Sequence, residues 1–211
     1  MSKLTLKFGG SALNSPENIN RICQIILKKA LNNDCYVVVS ALKGSTEKLI
    51  GICNSAKTSA QQANTQLLEL IAEHQLLANK ILSASKALAW QQEVAVYIDA
   101  CQKRLVNRKQ TDADIASILS LGEKLSAALI SQAIQQAGKN CNWLCSESLI
   151  KTTGSYLNSC VNNFATAQCF ADLNKDYPRL KITIITGFSA SNQKGQTTLL
   201  GRNASDYSAA I

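Results

Sequence analysis

Leu4-Thr5-Leu6-Lys7-Phe8-Gly9-Gly10 and, a helix-length later, Cys35-Tyr36-Val37-Val38-Val39-Ser40 decide the fold of this chain. The first run reads as a short buried strand closed by two glycines, the second as a buried strand rich in valine. Between them, Asn14-Ser15-Pro16-Glu17 is a helix start: a capping polar residue, then proline in the first turn. Ile19, Ile22, Cys23, Ile26 and Leu27 recur at helical spacing and give that helix its buried face. A strand–helix–strand beginning predicts parallel strands joined by a right-handed crossover.

The alternation continues along the chain. Residues 44–57 read as a helix. Two long segments, 61–83 and 84–109, read as a helical hairpin projecting from the sheet. Thr111-Asp112-Ala113-Asp114 caps a helix predicted to run to Ala137, with Gly138 as its stop. Further strands are expected at 140–145, 181–186 and 197–200, and a helix at 162–173. Residues 146–159 read mostly as loop and 189–195 as a polar turn. The expected class is α/β, with helices layered on a mainly parallel sheet. In such sheets ligands bind beyond the carboxyl ends of the strands, which directs attention to the loops after Phe8, Ser40 and Thr186.

Composition narrows the function classes. The 211 residues are 46% hydrophobic and 17% charged, as in a globular soluble protein with a sizeable core. No apolar stretch approaches a membrane span of ~20 residues, and the N-terminus carries no long apolar signal region. Eight cysteines are scattered without a Cys-x-x-Cys, and His74 is the single histidine, so no metal site is expected. Free buried thiols in a reducing cytoplasm are the expectation. The net charge of +8 is spread out, with clusters only at Lys28-Lys29 and 104–109, near helix ends. No nucleic-acid-binding motif accompanies it, and no nucleic-acid partner is expected.

Four segments hold candidate chemistry. In Lys7-Phe8-Gly9-Gly10-Ser11, two glycines let backbone N–H groups approach a phosphate, although a Gly-Gly turn also serves simply as a turn. Lys7 lies in an apolar strand, where an unpaired ammonium is costly. In Ser40-Ala41-Leu42-Lys43-Gly44-Ser45-Thr46, the hydroxyls either cap a helix or capture an anion. In Ser120-Leu121-Gly122-Glu123, a mid-helix glycine costs about 1 kcal/mol against alanine and suggests a close approach. Glu123 is either a solvated carboxylate or a receiver for a substrate amine. In Gly201-Arg202-Asn203-Ala204-Ser205-Asp206, Arg202 can hold a carboxylate bidentately and Ser205 can donate to it. Asp206 either caps the next helix or positions Lys7.

Lys-Phe-Gly-Gly-Ser, Val-Val-Ser-Ala with a downstream Gly-Ser-Thr, Ser-x-Gly-Glu-x-x-Ser, Thr-Gly-Phe and Leu-Gly-Arg-Asn-x-Ser-Asp-Tyr-Ser-Ala occur here in one order. From Lys3 to Ile211 the chain resembles the aspartokinases of the amino acid kinase family. Asn203 and the run from Asp206 to Ala210 look most like the bifunctional aspartokinase/homoserine dehydrogenases. The resemblance implies an αβα sandwich and transfer of the γ-phosphoryl group of MgATP to the β-carboxylate of L-aspartate. That reaction opens lysine, threonine and methionine biosynthesis. It implies ATP with Mg2+ carried chiefly on the nucleotide, a cytoplasmic location and a homo-oligomeric full-length protein. It also implies that residues 1–211 are the amino-acid-binding part of a longer kinase and are inactive alone, the nucleotide-binding lobe and any regulatory or dehydrogenase domains lying beyond them.

By this resemblance, Lys7 neutralises phosphate charge, and Gly9, Gly10 and Ser11 offer it N–H groups and a hydroxyl. Ser40 and Thr46 border the aspartate. Glu123 holds its α-ammonium, Arg202 and Ser205 hold its α-carboxylate, and Asp206 orients Lys7. Three departures from the pattern stand out: Ala12, Glu47 and Ala204, the last where a glycine is usual and where a positive φ would strain alanine by about 1 kcal/mol or more. Three alternatives stay open. One is a kinase for another carboxylate, such as glutamate or N-acetylglutamate. Another is a non-catalytic aspartate-sensing or assembly module. The last is a basic nucleic-acid binder.

Overall fold

The computed structural model describes residues 2–176, 181–201 and 204–211. Strand β1 (Ser2–Phe8) leads through a 3₁₀ turn (Gly10–Leu13) into α1 (Pro16–Lys29) and back into β2 (Asn33–Val39). Ser15 caps α1 by accepting from the Asn18 N–H, and Pro16 opens it. There follow α2 (Ser45–Ala56), α3 (Ala60–Ile81), α4 (Ala84–Leu105), α5 (Asp112–Leu119) and α6 (Leu121–Gln136). The chain continues through β3 (Asn142–Leu144), a 3₁₀ turn (Ser146–Ser148), β4 (Lys151–Gly154), β5 (Ser159–Val161) and α7 (Asn163–Asp176). It closes with β6 (Ile182–Thr186), β7 (Ser189–Asn192), β8 (Thr197–Leu199) and α8 (Ala204–Ala210).

The predicted crossover is present. β1 and β2 are parallel neighbours, and the sheet continues in parallel through β6 to β3, in the order β1-β2-β6-β3. Successive residues of these strands face opposite sides, so Val37, Val39, Ile182 and Ile184 enter one core and Val38 and Ile185 another. The larger core is closed by α1 and α6. The smaller gathers Leu149, Ile150 and Ala190 on the opposite face, and α8 lies there against β1 and β2. Helix α6 is the centre of the molecule: every residue from Leu121 to Ile134 is buried. A helix buried on all sides belongs inside a layered core, not on its surface.

Three expectations change. The predicted helix over 111–137 is two helices, because the chain turns at Ser120, whose hydroxyl donates to the Ser117 carbonyl at 2.8 Å. The capping box predicted at its start is formed by Thr111 and Asp114. The α3–α4 hairpin does not project. Leu67, Leu70 and Trp90 are buried, and the Trp90 indole N–H donates to the Leu125 carbonyl of α6 at 3.1 Å. Segments 146–159 and 189–195 contain strands of a second, mixed sheet ordered β5-β4-β7-β8. Hydroxyl pairs hold that sheet together: Thr152 with Thr198 at 2.7 Å, Ser159 with the Leu199 carbonyl at 2.9 Å, and Ser191 with the Glu147 carbonyl at 2.6 Å. Strands stapled by serine and threonine carry no apolar alternation, which is why they read as loop.

Burial accounts for most of the thiols. Cys23, Cys35, Cys53, Cys101 and Cys141 are buried, and desolvation pushes the thiols of Cys23, Cys101 and Cys141 up to about 12. Cys145 and Cys169 are half-buried and Cys160 is exposed, so the expectation of buried thiols holds for only part of the set. Among the described residues, no helix is long and apolar enough to cross a membrane.

Because Trp90 ties the hairpin to α6 and is fully buried, Trp90→Ala is expected to lower stability by about 3–5 kcal/mol. Urea denaturation measures this. A loss near zero would show that the hairpin is not part of the core.

Candidate active site

β1, β2 and β6 run parallel, so their carboxyl ends open at one edge of the sheet. Lys7 stands next to last in β1. Its ammonium is 2.8 Å from the Asp206 Oδ1 in the first turn of α8, and the two side chains are 28% and 67% exposed. So open a pair contributes at most about 1 kcal/mol to stability. Its effect is to aim the ammonium. A Cβ on Gly9 would stand 3.5 Å from Lys7 Nζ, so the ammonium lies over the Gly9 backbone.

A second group lies beside it. The Ser40 hydroxyl, just beyond β2, donates to the Ser205 Oγ of α8 at 2.9 Å. Ser205 in turn stands 3.4 Å from the Glu123 Oε1 on the first turn of α6. The other carboxyl oxygen of Glu123 accepts the Phe188 N–H at 2.6 Å. Glu123 is 2% exposed. Burial raises its pKa to about 8, against the N–H groups of Phe188, Gly187 and Ser189, which pull it down; the negative charge of Glu147 adds to the rise.

The loops converge because three positions lack a Cβ. On Gly10 a Cβ would sit 2.5 Å from the Ala41 carbonyl oxygen. On Gly122 it would sit 2.8 Å from the Ala41 Cβ. On Gly187 it would sit 2.7 Å from both Ser205 Cβ and Val38 Cγ1. The close approach suggested by Gly122 is therefore to the loop after β2.

The remaining positions fall as follows. Gly9 and Gly10 are half-buried at the β1 end, and Ser11 is exposed in the turn after them. Thr46 is half-buried in the first turn of α2. Capping by Ser45 is not what starts α2: Gly44 is the N-cap, with φ +85°, and its helix has no side-chain cap. Glu123 is not a solvated helix carboxylate. Ala204 is the first helical residue of α8, so no positive-φ strain falls on the alanine; among the described residues of that turn, Gly201 is left-handed, with φ +86°. Arg202 and Asn203 lie outside the described residues.

Two features escaped sequence reading. One is the backbone donor Phe188 N–H. The other is a buried ion pair, Lys124 Nζ to Glu147 Oε1 at 2.8 Å, immediately behind Glu123. Thr-Gly-Phe hinted at the first. Nothing in the spacing of Lys124 and Glu147 pointed to the second.

The site thus offers one aimed cation at an open glycine-lined strand end and, beside it, hydroxyls and a carboxyl sunk in the protein. The first suits phosphate oxygens, and the second suits a small polar molecule with an ammonium. Among the described residues, no group of three or more His, Cys, Asp or Glu side chains is placed to hold a metal ion.

Comparison with known proteins identifies the family. The model of the amino acid kinase family matches residues 3–211. The aspartokinase of Chlamydia pneumoniae is 33% identical over 211 residues, which is 100% of this chain and 44% of that protein. The bifunctional aspartokinase/homoserine dehydrogenase of Haemophilus influenzae is 30% identical over 215 residues, 97% of this chain and 26% of that protein. Similarity therefore extends to stand-alone and bifunctional proteins alike, and the chain spans less than half the length of either. The crystal structure of Escherichia coli aspartokinase III in complex with lysine and aspartate superposes with a TM-score of 0.86 at 24% identity. It covers 99% of this chain and 46% of that one. The same enzyme with aspartate and ADP gives 0.83 at 22% identity over the same shares.

A methyl group at Gly187 must displace Ser205 or Val38. Gly187→Ala is expected to cost about 1–3 kcal/mol by overpacking. An unchanged denaturation midpoint would mean that the loops do not meet as described.

Proposed function

The chain belongs to the amino acid kinase family, and on that premise we propose that it builds the amino-acid side of an aspartate kinase site. The observation that carries the reading is the convergence of Lys7–Asp206 and Ser40–Ser205–Glu123 at the carboxyl ends of β1 and β2. The relatives named aspartokinase and the structural neighbours holding aspartate and ADP support it.

In this reading L-aspartate lies between the two groups. Glu123 takes the α-ammonium, and Ser205, with Arg202, takes the α-carboxylate. Ser40 and Thr46 border the ligand. The β-carboxylate points toward Lys7. Its pKa of about 4 keeps it ionised at neutral pH, so no general base is required. One of its oxygens attacks the γ-phosphorus of ATP, the bond to the β-phosphate oxygen breaks, and ADP leaves with the electron pair. Lys7, aimed by Asp206, balances the charge that builds on the transferring group, and Gly9, Gly10 and Ser11 line its path. The Lys7 ammonium over the Gly9 backbone is a fit for phosphate oxygens. Mg2+ is assigned to the nucleotide, where it would neutralise phosphate charge. The free thiols support a reducing, cytoplasmic setting.

A buried carboxyl supports a free amino acid over an N-acylated one. In a thermal-shift panel, L-aspartate is expected to raise the melting temperature of the chain and N-acetylglutamate to leave it unchanged; the opposite pattern would sink this choice. In the complete gene product, Lys7→Ala is expected to lower kcat of the coupled ATP and aspartate assay by roughly 10²–10³-fold. The melting temperature should stay near its parent value, since the Lys7–Asp206 pair is exposed. A kcat within threefold of the parent would remove Lys7 from the chemistry.

A further inference from the structure

Glu123 is fully buried, with the Phe188 N–H at 2.6 Å, the N–H groups of Gly187 and Ser189 also directed at it, and one hydroxyl at 3.4 Å. Among the described residues, no cation contacts it. Lys124, the next residue, turns away. Its ammonium lies 2.8 Å from Glu147 Oε1, donates to the Ser120 hydroxyl oxygen at 2.9 Å and sits 5.1 Å from the centre of the Tyr97 ring. Burial is the largest single influence and works against the Lys124 charge; Glu147, together with Cys145 and Cys101, outweighs it.

Glu147 is itself anchored. Its carbonyl accepts from Lys151 Nζ at 3.0 Å and from the Ser191 hydroxyl at 2.6 Å. Its neighbour Ser146 bonds Thr186 and the Ser189 carbonyl on either side of Gly187 and Phe188. One short turn therefore fixes both the donor that meets Glu123 and the negative charge behind it.

We infer that burial without a cation, reinforced by Glu147 locked on Lys124, keeps the Glu123 carboxyl protonated in the empty site, so that capture of an amino acid's ammonium expels one proton. This rests on the reading that Glu123 receives the α-ammonium. The proton leaves Glu123 for solvent, the ligand keeps its own three, and a carboxylate–ammonium pair replaces a neutral acid. Two buried carboxylates served by one lysine cannot both ionise cheaply; the ligand brings the second cation. Among the described residues, the other titratable groups around the site do not supply this charge. Lys7 and Asp206 pair with each other. Cys145 and Tyr97, which bond each other on the far side of Lys124, are both raised by burial and stay neutral. Glu93 is held by Gln132 and Trp143.

The sign follows from the raised acid. Glu123 titrates near 8 in the free chain, so below that pH ligand binding must displace the proton, and apparent affinity falls as pH falls. The fall is about tenfold per pH unit, and proton release is about 0.9 per ligand at pH 7 and about 0.5 at pH 8. Isothermal titration of L-aspartate into the chain, at pH 6 to 8.5 in buffers of different ionisation enthalpy, measures both. Over this range the ligand's own groups do not titrate.

Glu147→Gln is expected to move the midpoint of proton release down by a pH unit or more while aspartate still binds. Should that variant fold poorly with Lys124 unpaired, proton release on aspartate binding to the parent chain still decides the inference. Aspartate binding with no proton released between pH 6 and 8.5, or a midpoint unmoved in a folded variant, overturns the inference and leaves the proposed function standing. No aspartate binding at any pH overturns both.

Discussion

Everything at this site is arranged around one costly act: placing the carboxyl of Glu123 in the first turn of a helix that has no exposed side. Such a group is tolerated only with donors at contact distance or with a proton of its own. The chain provides a donor through the turn between β6 and β7, where Phe188 N–H meets the carboxyl at 2.6 Å. That turn is held in place by Ser146 across the smaller core. The buried helix, the parallel sheet and the hydroxyl-stapled second sheet are thus coupled through a single carboxyl group.

Glycine makes the coupling geometrically possible. At Gly10, Gly122 and Gly187 the neighbouring segment stands where a methyl group would collide. These contacts bring the ends of β1, β2 and β6 and the start of α6 within reach of one small ligand. Lys7 and Asp206 lie at the more open margin of the same cluster. In the proposed function this division, a buried carboxyl beside an exposed cation, suits an acceptor that is enclosed and a donor that approaches from solvent.

The layered α/β class was legible in the sequence because its signal is local. The valines of β2, the isoleucines of α1 and the Ser15–Pro16 cap each speak within a few residues of themselves. Of the second sheet only β8 was legible, since the polar strands β4, β5 and β7, satisfied largely by hydroxyl bonds, have no hydrophobic period. The break at Ser120 was missed for a similar reason: one side-chain bond to Ser117 outweighs an otherwise helical pattern. At Ala204 the strain that a positive φ would bring is absent, because the alanine is already helical.

The sequence by itself determined which residues are candidates for chemistry: Lys7 in an apolar strand, Glu123 beside a glycine, and a closing turn with Ser205 and Asp206. Each is a residue type out of keeping with its local pattern, and local pattern is what a sequence displays. Only the tertiary structure decided their states. It paired Lys7 with Asp206, set Ser40 against Ser205 across 165 positions, and buried Glu123 in front of the Lys124–Glu147 pair. The charge a carboxyl carries depends on the dielectric and the partners around it, and those come from segments far apart in the chain that meet only when it folds.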